Sequence, residues 1–246
     1  MKNIKIILIL VVLFLFQGNR IFSQNANTKG FTLLELFTSE GCSSCPPADE
    51  LLGKIENENN NQIYILAYHV DYWDRQGWKD IFSQPKFTDR QYDYAKWLGK
   101  EPIYTPQFIV NGKIDGIGSN EKEVRSAIKN TISKPQNLDL TLDSSILNSK
   151  LKVNYTLDKV SKNNRLFVAV VQKSAKSNVK RGENANRVLS HYQIVRELQS
   201  INLASNVKGN MTLNLPKDFN AKDFELIGFV QNVANGAVLA INRENL

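Results

Sequence analysis

Cys42 and Cys45, separated by two serines, are the only thiols in a chain of 246 residues. They stand where an apolar, extended run, residues 31–37, breaks into a turn and then into a segment with helical spacing. A cysteine at a helix start lies near unbonded backbone N–H groups and the positive end of the helix dipole, and both favour its ionised form. In such places a cysteine pKa falls from about 8.5 into the range ~3.5–7.5, and the thiolate is the reactive species. Cys45, one turn further along, is placed to attack a mixed disulfide formed at Cys42 and release the product, the two-step exchange of a dithiol. The cysteines carry the electrons, so this chemistry needs no organic cofactor.

The same spacing also serves metals, and a copper-binding chaperone using Cys42, Cys45 and His69 is an alternative reading. Zinc is disfavoured, because a structural site takes about four ligands and the chain adds only His69 and His191 to the two thiols. A disulfide kept for stability alone gains little from so short a loop.

The elements that must position the pair can be read in order. Residues 31–37 suit a strand. From Ala48, the positions Leu51, Leu52 and Ile55 recur at helical spacing, and the Asn57–Asn61 stretch stops that helix. Residues 63–70 form an apolar, branched run that suits a strand buried on both faces. Residues 72–99 mix aromatic and polar positions and predict two helices separated near Pro85. Asn111-Gly112 between two extended runs predicts a two-residue hairpin, and Val124, Ile128 and Ile132 share a helical face. After a polar break at 133–137 come six short strand-like runs, with a seventh at 188–195 whose end, residues 195–198, also suits a helix.

A CxxC at a helix start, then a strand and helices, then Thr105-Pro106 opening a hairpin and a last helix, resembles the thioredoxin fold. The resemblance implies a cis proline at Pro106 lying against the CxxC and presenting backbone, with Thr105, to a substrate. A closer likeness lies in residues 35–49, in 69–78 from His69 to Trp78, in Tyr104–Gln107 and in Val110–Gly112. These look like a family of secreted bacterial proteins catalogued as domain of unknown function 1223, and Arg181–Arg187 with Leu189–His191 extends the likeness into the second half. The expected architecture is an α/β thioredoxin-like domain over residues 28–133, with a helical insertion at about 72–99, followed by a small all-β sandwich-like domain over 137–246. On this scaffold a third reading makes the chain a non-enzymatic secreted binding module.

Several residues are candidates for supporting roles. His69 ends the buried strand on the side of the CxxC and could move a proton from either thiol, with Asp71 orienting its ring. Glu35 shares strand parity with Leu33 and Phe37 and could be a buried carboxylate under the dithiol, relaying protons. Trp73, in the loop after His69, is a candidate wall of the substrate site, together with Thr105 and Asp71.

Residues 1–24 carry Lys2, Lys5 and Arg20, no acid, and an unbroken apolar run of eleven residues at 6–16. This pattern predicts a secretory signal peptide, too short in its apolar run for a membrane anchor. Without it, 28 basic residues face 24 acidic ones, too mild a balance to imply nucleic acid. The reading is an exported protein, periplasmic or secreted, with no lasting membrane anchor. Its expected substrates are protein or small-molecule thiols and disulfides, and a separate redox partner would regenerate it.

Overall fold

The computed structural model describes residues 30–136 and 138–246. The segment read as a signal peptide lies outside them. Among the described residues no helix is long and apolar enough to cross a membrane.

Strand β1 (Thr32–Thr38) is buried at every position and pairs in parallel with β2 (Ile63–His69) through the connecting helix α1 (Pro46–Asn57). Pro46 and Pro47 open α1, where a missing backbone N–H breaks no helical bond. The next stretch is a short 3-10 turn at Asp74–Gln76 and one helix, α2 (Pro85–Leu98), rather than two helices. Pro85 is the first residue of that helix instead of a break between two. Strands β3 (Gln107–Val110) and β4 (Ile114–Ile117) form the expected hairpin, with Asn111 and Gly112 both at positive φ (47° and 69°). Helix α3 (Glu121–Ile132) follows, capped by the Asn120 side chain.

Seven further strands complete the chain: β5 (Leu140–Leu147), β6 (Lys150–Leu157), β7 (Asn164–Asn178), β8 (Val188–Asn202), β9 (Lys208–Asn214), β10 (Phe224–Asn232) and β11 (Val238–Asn245). They do not build a separate sandwich. One mixed sheet of eight strands runs in the order β11-β10-β7-β8-β2-β1-β3-β4, and only β5, β6 and β9 form a second sheet. With three α-helices among the described residues, the expectation of a thioredoxin-like α/β domain followed by a small sandwich is overturned. The joint is β8, which meets β2 in parallel through the pair Ala67↔Ile194.

Both faces of the large sheet are covered. On one, α2 packs over strands from both halves of the chain, burying Phe37, Tyr68, Phe87 and Tyr94 with Phe167 and Phe229. On the other, α1 and α3 cover β1 to β3, while the three-stranded sheet covers β7, β10 and β11 around Leu166, Val168, Leu213 and Leu226. At the hairpin turn the halves touch backbone to backbone. A Cβ on Gly112 would stand 1.8 Å from the Gly236 carbonyl oxygen, so only glycine fits there.

Candidate functional site

Cys42 and Cys45 are joined as a disulfide at the start of α1, with Cys45 as its N-cap residue. Both are 0% exposed, although Ser43 and Ser44 between them are exposed. The Thr105–Pro106 bond is cis, and the Thr105 carbonyl oxygen lies 3.9 Å from Cys42 Sγ. Pro106 is buried beside the disulfide's helix: a Cβ on Gly118 would touch both Pro106 and Ala48. Trp73 donates from its indole N–H to Thr105 Oγ1 at 2.8 Å and packs on Gly41.

The backbone donors at this helix start are fewer than the sequence suggests. Pro46 and Pro47 have no N–H to offer. The Ser43 N–H donates to Glu183 Oε2 at 2.9 Å, and the bonds to Ser43 hold the Glu183 carboxyl below its ordinary range. The group set against Cys42 Sγ is the Ser44 hydroxyl, at 3.2 Å.

Glu183 belongs to the turn joining β7 to β8, residues 179–187, which folds over the CxxC. Its neighbour Asn184 is fully buried and donates both amide hydrogens, to the carbonyl oxygens of Glu40 and Cys42, each at 2.9 Å. Arg187 donates to the Asn184 side-chain oxygen at 2.7 Å and fixes its orientation. Gly182, at φ 75°, lies against Trp78. The second half of the chain therefore supplies the cover of the disulfide.

Beside the disulfide lies a buried group of acids and histidines. Asp49 sits four residues after Cys45, one turn along the same helix, and donates its own N–H to the Cys45 carbonyl oxygen. Its Oδ2 accepts from Thr38 Oγ1 at 3.2 Å. His191, from β8, faces Asp49 at 3.8 Å and Glu40 at 3.5 Å. Burial lowers the His191 pKa, but the two carboxylates outweigh it and raise the ring to about 9. Asp49 Oδ1, Glu40 Oε1, His191 Nδ1 and His69 Nε2 are all buried without a hydrogen-bond partner. Such atoms are expensive to leave unpaired.

The structure redistributes the supporting roles read from the sequence. His69 is in the group, its ring 5.0 Å from that of His191. Its carboxylate partner, however, is Asp80, at 2.6 Å, while Asp71 accepts from Thr88 Oγ1 at 2.5 Å. Burial pushes the Asp80 carboxyl up, and the His69 ring together with the N–H groups of Glu40 and Phe82 more than offsets this, holding it below the usual range. Glu35 faces the other side of the sheet from α1. There it pairs with Arg90 at 2.6 Å and accepts from the Tyr94 hydroxyl, in a cage where Phe167 and Phe229 flank the guanidinium at 4.8 and 5.1 Å.

The sequence reading did not single out Asp49, Glu40, Asp80, Glu183 or Asn184 for chemistry. Asp49 looked like an ordinary acid in a first helical turn, and the others come from turns and a distant strand connection. The signal that could have found most of them was the family likeness, which takes in Glu40 and Asp49 at 35–49 and Glu183 and Asn184 at Arg181–Arg187 but not Asp80.

Comparison with known proteins agrees with this long-range arrangement. The model of the family described as Protein of unknown function (DUF1223) matches residues 33–231, from β1 into β10. The chain belongs to this family. The match takes in the CxxC, the cis proline and the covering turn together. A crystal structure of protein AGR_C_4864 from Agrobacterium tumefaciens is similar in fold, at 26% identity and TM-score 0.64, covering 87% of this chain and 93% of that one. A domain of the outer membrane lipoprotein Omp28 from Porphyromonas gingivalis matches 45% of this chain and 88% of its own at 10% identity and TM-score 0.28. No curated protein matches the chain. Among the described residues no group of three or more His, Cys, Asp or Glu is arranged to hold a metal ion.

Proposed function

We propose that this DUF1223 member is an extracytoplasmic thiol–disulfide oxidoreductase that works through Cys42 and Cys45 on protein or small-molecule thiols. The observation that carries the reading is the closed Cys42–Cys45 disulfide at a helix start, set beside a buried group of acids and histidines in which each side chain keeps one polar atom unpaired. A disulfide kept for stability alone has no use for so many buried ionisable groups with spare hydrogen-bonding atoms at its side.

In the oxidised form a substrate thiolate attacks Cys42 Sγ, the Cys42–Cys45 bond breaks, and Cys45 leaves as a thiolate. His191, whose ring the two carboxylates keep protonated, holds the proton that Cys45 takes up, with Asp49 standing between them, one turn from Cys45. A second substrate thiolate then attacks the substrate sulfur of the mixed disulfide and expels Cys42. The substrate thiolates, whose protons went to solvent, have lost two electrons; the protein has gained them together with the one proton on Cys45, and Cys42 is left as a thiolate. From the reduced form the same steps run backwards, and the Ser44 hydroxyl then steadies the Cys42 thiolate. The Thr105 carbonyl oxygen borders Cys42 Sγ and, with Pro106 next in the chain, shapes where a substrate sits. Because both sulfurs are covered, each cycle begins with displacement of the 179–187 turn. The basic, apolar start of the sequence supports an exported location.

The test is to express Cys45→Ser, collect the mixed disulfides formed at Cys42 in the exported fraction, and identify the attached thiols. Defined partners that vanish in Cys42→Ser, Cys45→Ser support the reading. An empty trap, with Cys42 alkylated no faster than cysteine in a peptide, overturns it.

A further inference from the structure

A second site lies away from the cysteines. The disulfide follows the C-terminal end of β1, whereas Phe31, just before the other end, lines a cavity of about 500 Å3. The seven residues of β1, at about 3.3 Å each, put roughly 20 Å between the two places.

Most of the wall of this cavity is apolar, with Phe31, Ile114 and Leu239 contributed by three different parts of the chain, and Asn111, Gln136, Ser161 and Asn164 add uncharged polar groups. Its charged residues are Lys113, Lys134 and Lys159, all exposed, and no acid lines it. The lysines come from the β3–β4 turn, from the connection after α3 and from the β6–β7 connection, so the fold alone brings them together. Lys113 donates to the Asn235 carbonyl oxygen at 2.7 Å, and among the described residues none of the three forms an ion pair with a carboxylate. Elsewhere on the same surface lysines do find acids, as Lys100 finds Asp115 and Lys86 finds Glu197.

We infer that this cavity binds an amphiphile with a single anionic head, of the fatty-acid carboxylate type, its chain against the apolar wall and its head among the three lysines. An apolar cavity of this size with a few converging polar groups is the usual form of a small-molecule site. Three like charges lining one cavity repel one another, and an anion relieves that repulsion. A neutral amphiphile would leave the lysines uncompensated, and a cationic one would add to the repulsion. The site is independent of the thiol chemistry, so either assignment can fail without the other.

The experiment titrates the full-length protein with dodecanoate, dodecanol and dodecyltrimethylammonium, each below its aggregation concentration, by calorimetry. Dodecanoate is expected to bind saturably at one site and at least about tenfold more tightly than the other two. Lys134→Glu, Lys159→Glu, two exposed changes that leave the melting temperature in place, should weaken dodecanoate by about tenfold or more. Cys42→Ser should bind as the parent does. Equal binding of the three amphiphiles, or unchanged dodecanoate affinity in the charge-reversed variant, overturns the inference.

Discussion

Asn184 holds the carbonyl oxygen of Cys42 at 2.9 Å from a turn 142 residues further along the chain. Its second amide hydrogen holds Glu40, so one side chain ties the covering turn to both ends of the loop that leads into the CxxC. On the proposed chemistry, reaction at the disulfide should be coupled to the opening of the β7–β8 connection, and this coupling can be measured.

Asn184→Ala removes both bonds and leaves the Glu40 carbonyl unpaired, while the Cys42 carbonyl keeps the Cys45 N–H. Losses of this kind cost about 1–3 kcal/mol each, which makes local opening roughly tenfold or more frequent. Reduction of the disulfide by a phosphine under native conditions should speed up by at least that factor, and global stability should fall by the same free energy, because the open and the unfolded states both lack the bonds. An unchanged reduction rate would mean that something other than the turn limits access.

The Glu183 carboxylate competes with the Cys42 thiolate for the electrostatic benefit of the helix start. In Glu183→Gln that anion is gone, and the Cys42 pKa in the reduced protein should fall. Thiolate absorbance during a pH titration reads it directly, with Cys45→Ser as background to isolate one thiol. A rise in pKa would show that Glu183 acts through order in the turn rather than through charge.

Glu35 and Arg90 form a buried ion pair on the far side of the sheet from α1. Removing one partner strands the other, so Glu35→Ala should destabilise the protein by about 3–5 kcal/mol in urea unfolding. Glu35→Ala, Arg90→Met should recover part of that loss. Thiol pKa values and exchange rates should stay at parental levels, the opposite of what a proton relay at Glu35 requires.

His191 makes stability depend on pH. Its folded-state pKa is raised to about 9, above the ordinary 6.5 of an unfolded histidine. Below pH 6.5 both states hold the proton and its stabilising contribution is complete. Between 6.5 and 9 only the folded state keeps it, so stability falls as pH rises, by at most about 1.4 kcal/mol per unit. Urea unfolding across pH 6 to 9 should show this decline. His191→Asn should be less stable at pH 6 and lose most of the slope; a variant with the parental slope would place its origin elsewhere.

Much of the local structure was legible in the residues. Alternating and continuous apolar runs marked β1 and β2, the Asn111-Gly112 pair marked its hairpin, and the Leu51, Leu52, Ile55 spacing marked α1. What failed was long-range. β7 and β8 are each 15 residues long, yet the sequence reading ended them near residues 172 and 195, where Lys173, Ser174, Arg196 and Glu197 interrupt the apolar pattern. Those polar ends are held by the ladder between the two strands, from Asn178↔Val188 to Arg165↔Asn202, and a ladder leaves no local signature. The joining pair Ala67↔Ile194 involves two ordinary apolar residues, so nothing in either announces its partner.

The cysteine pair was equally legible, because its spacing and helix start are local. Its surroundings were not. Glu35 had the correct parity for a buried acid but belonged to the wrong face of β1, and Asp71 lost His69 to Asp80, which a loop returns to the strand end. Burial and sign can be read along a chain, whereas choice of partner depends on how the chain closes.

The position of β8 between β7 and β2 also sets a timetable for biosynthesis. The edge of β2 beside Ala67 has no neighbour until Val188–Asn202 has been made, more than a hundred residues later. For that interval a nascent chain presents a bare, apolar strand edge, the kind of surface that other chains pair with and aggregate on. Truncation before β8 should therefore leave this edge uncovered and give a product prone to pair with other chains.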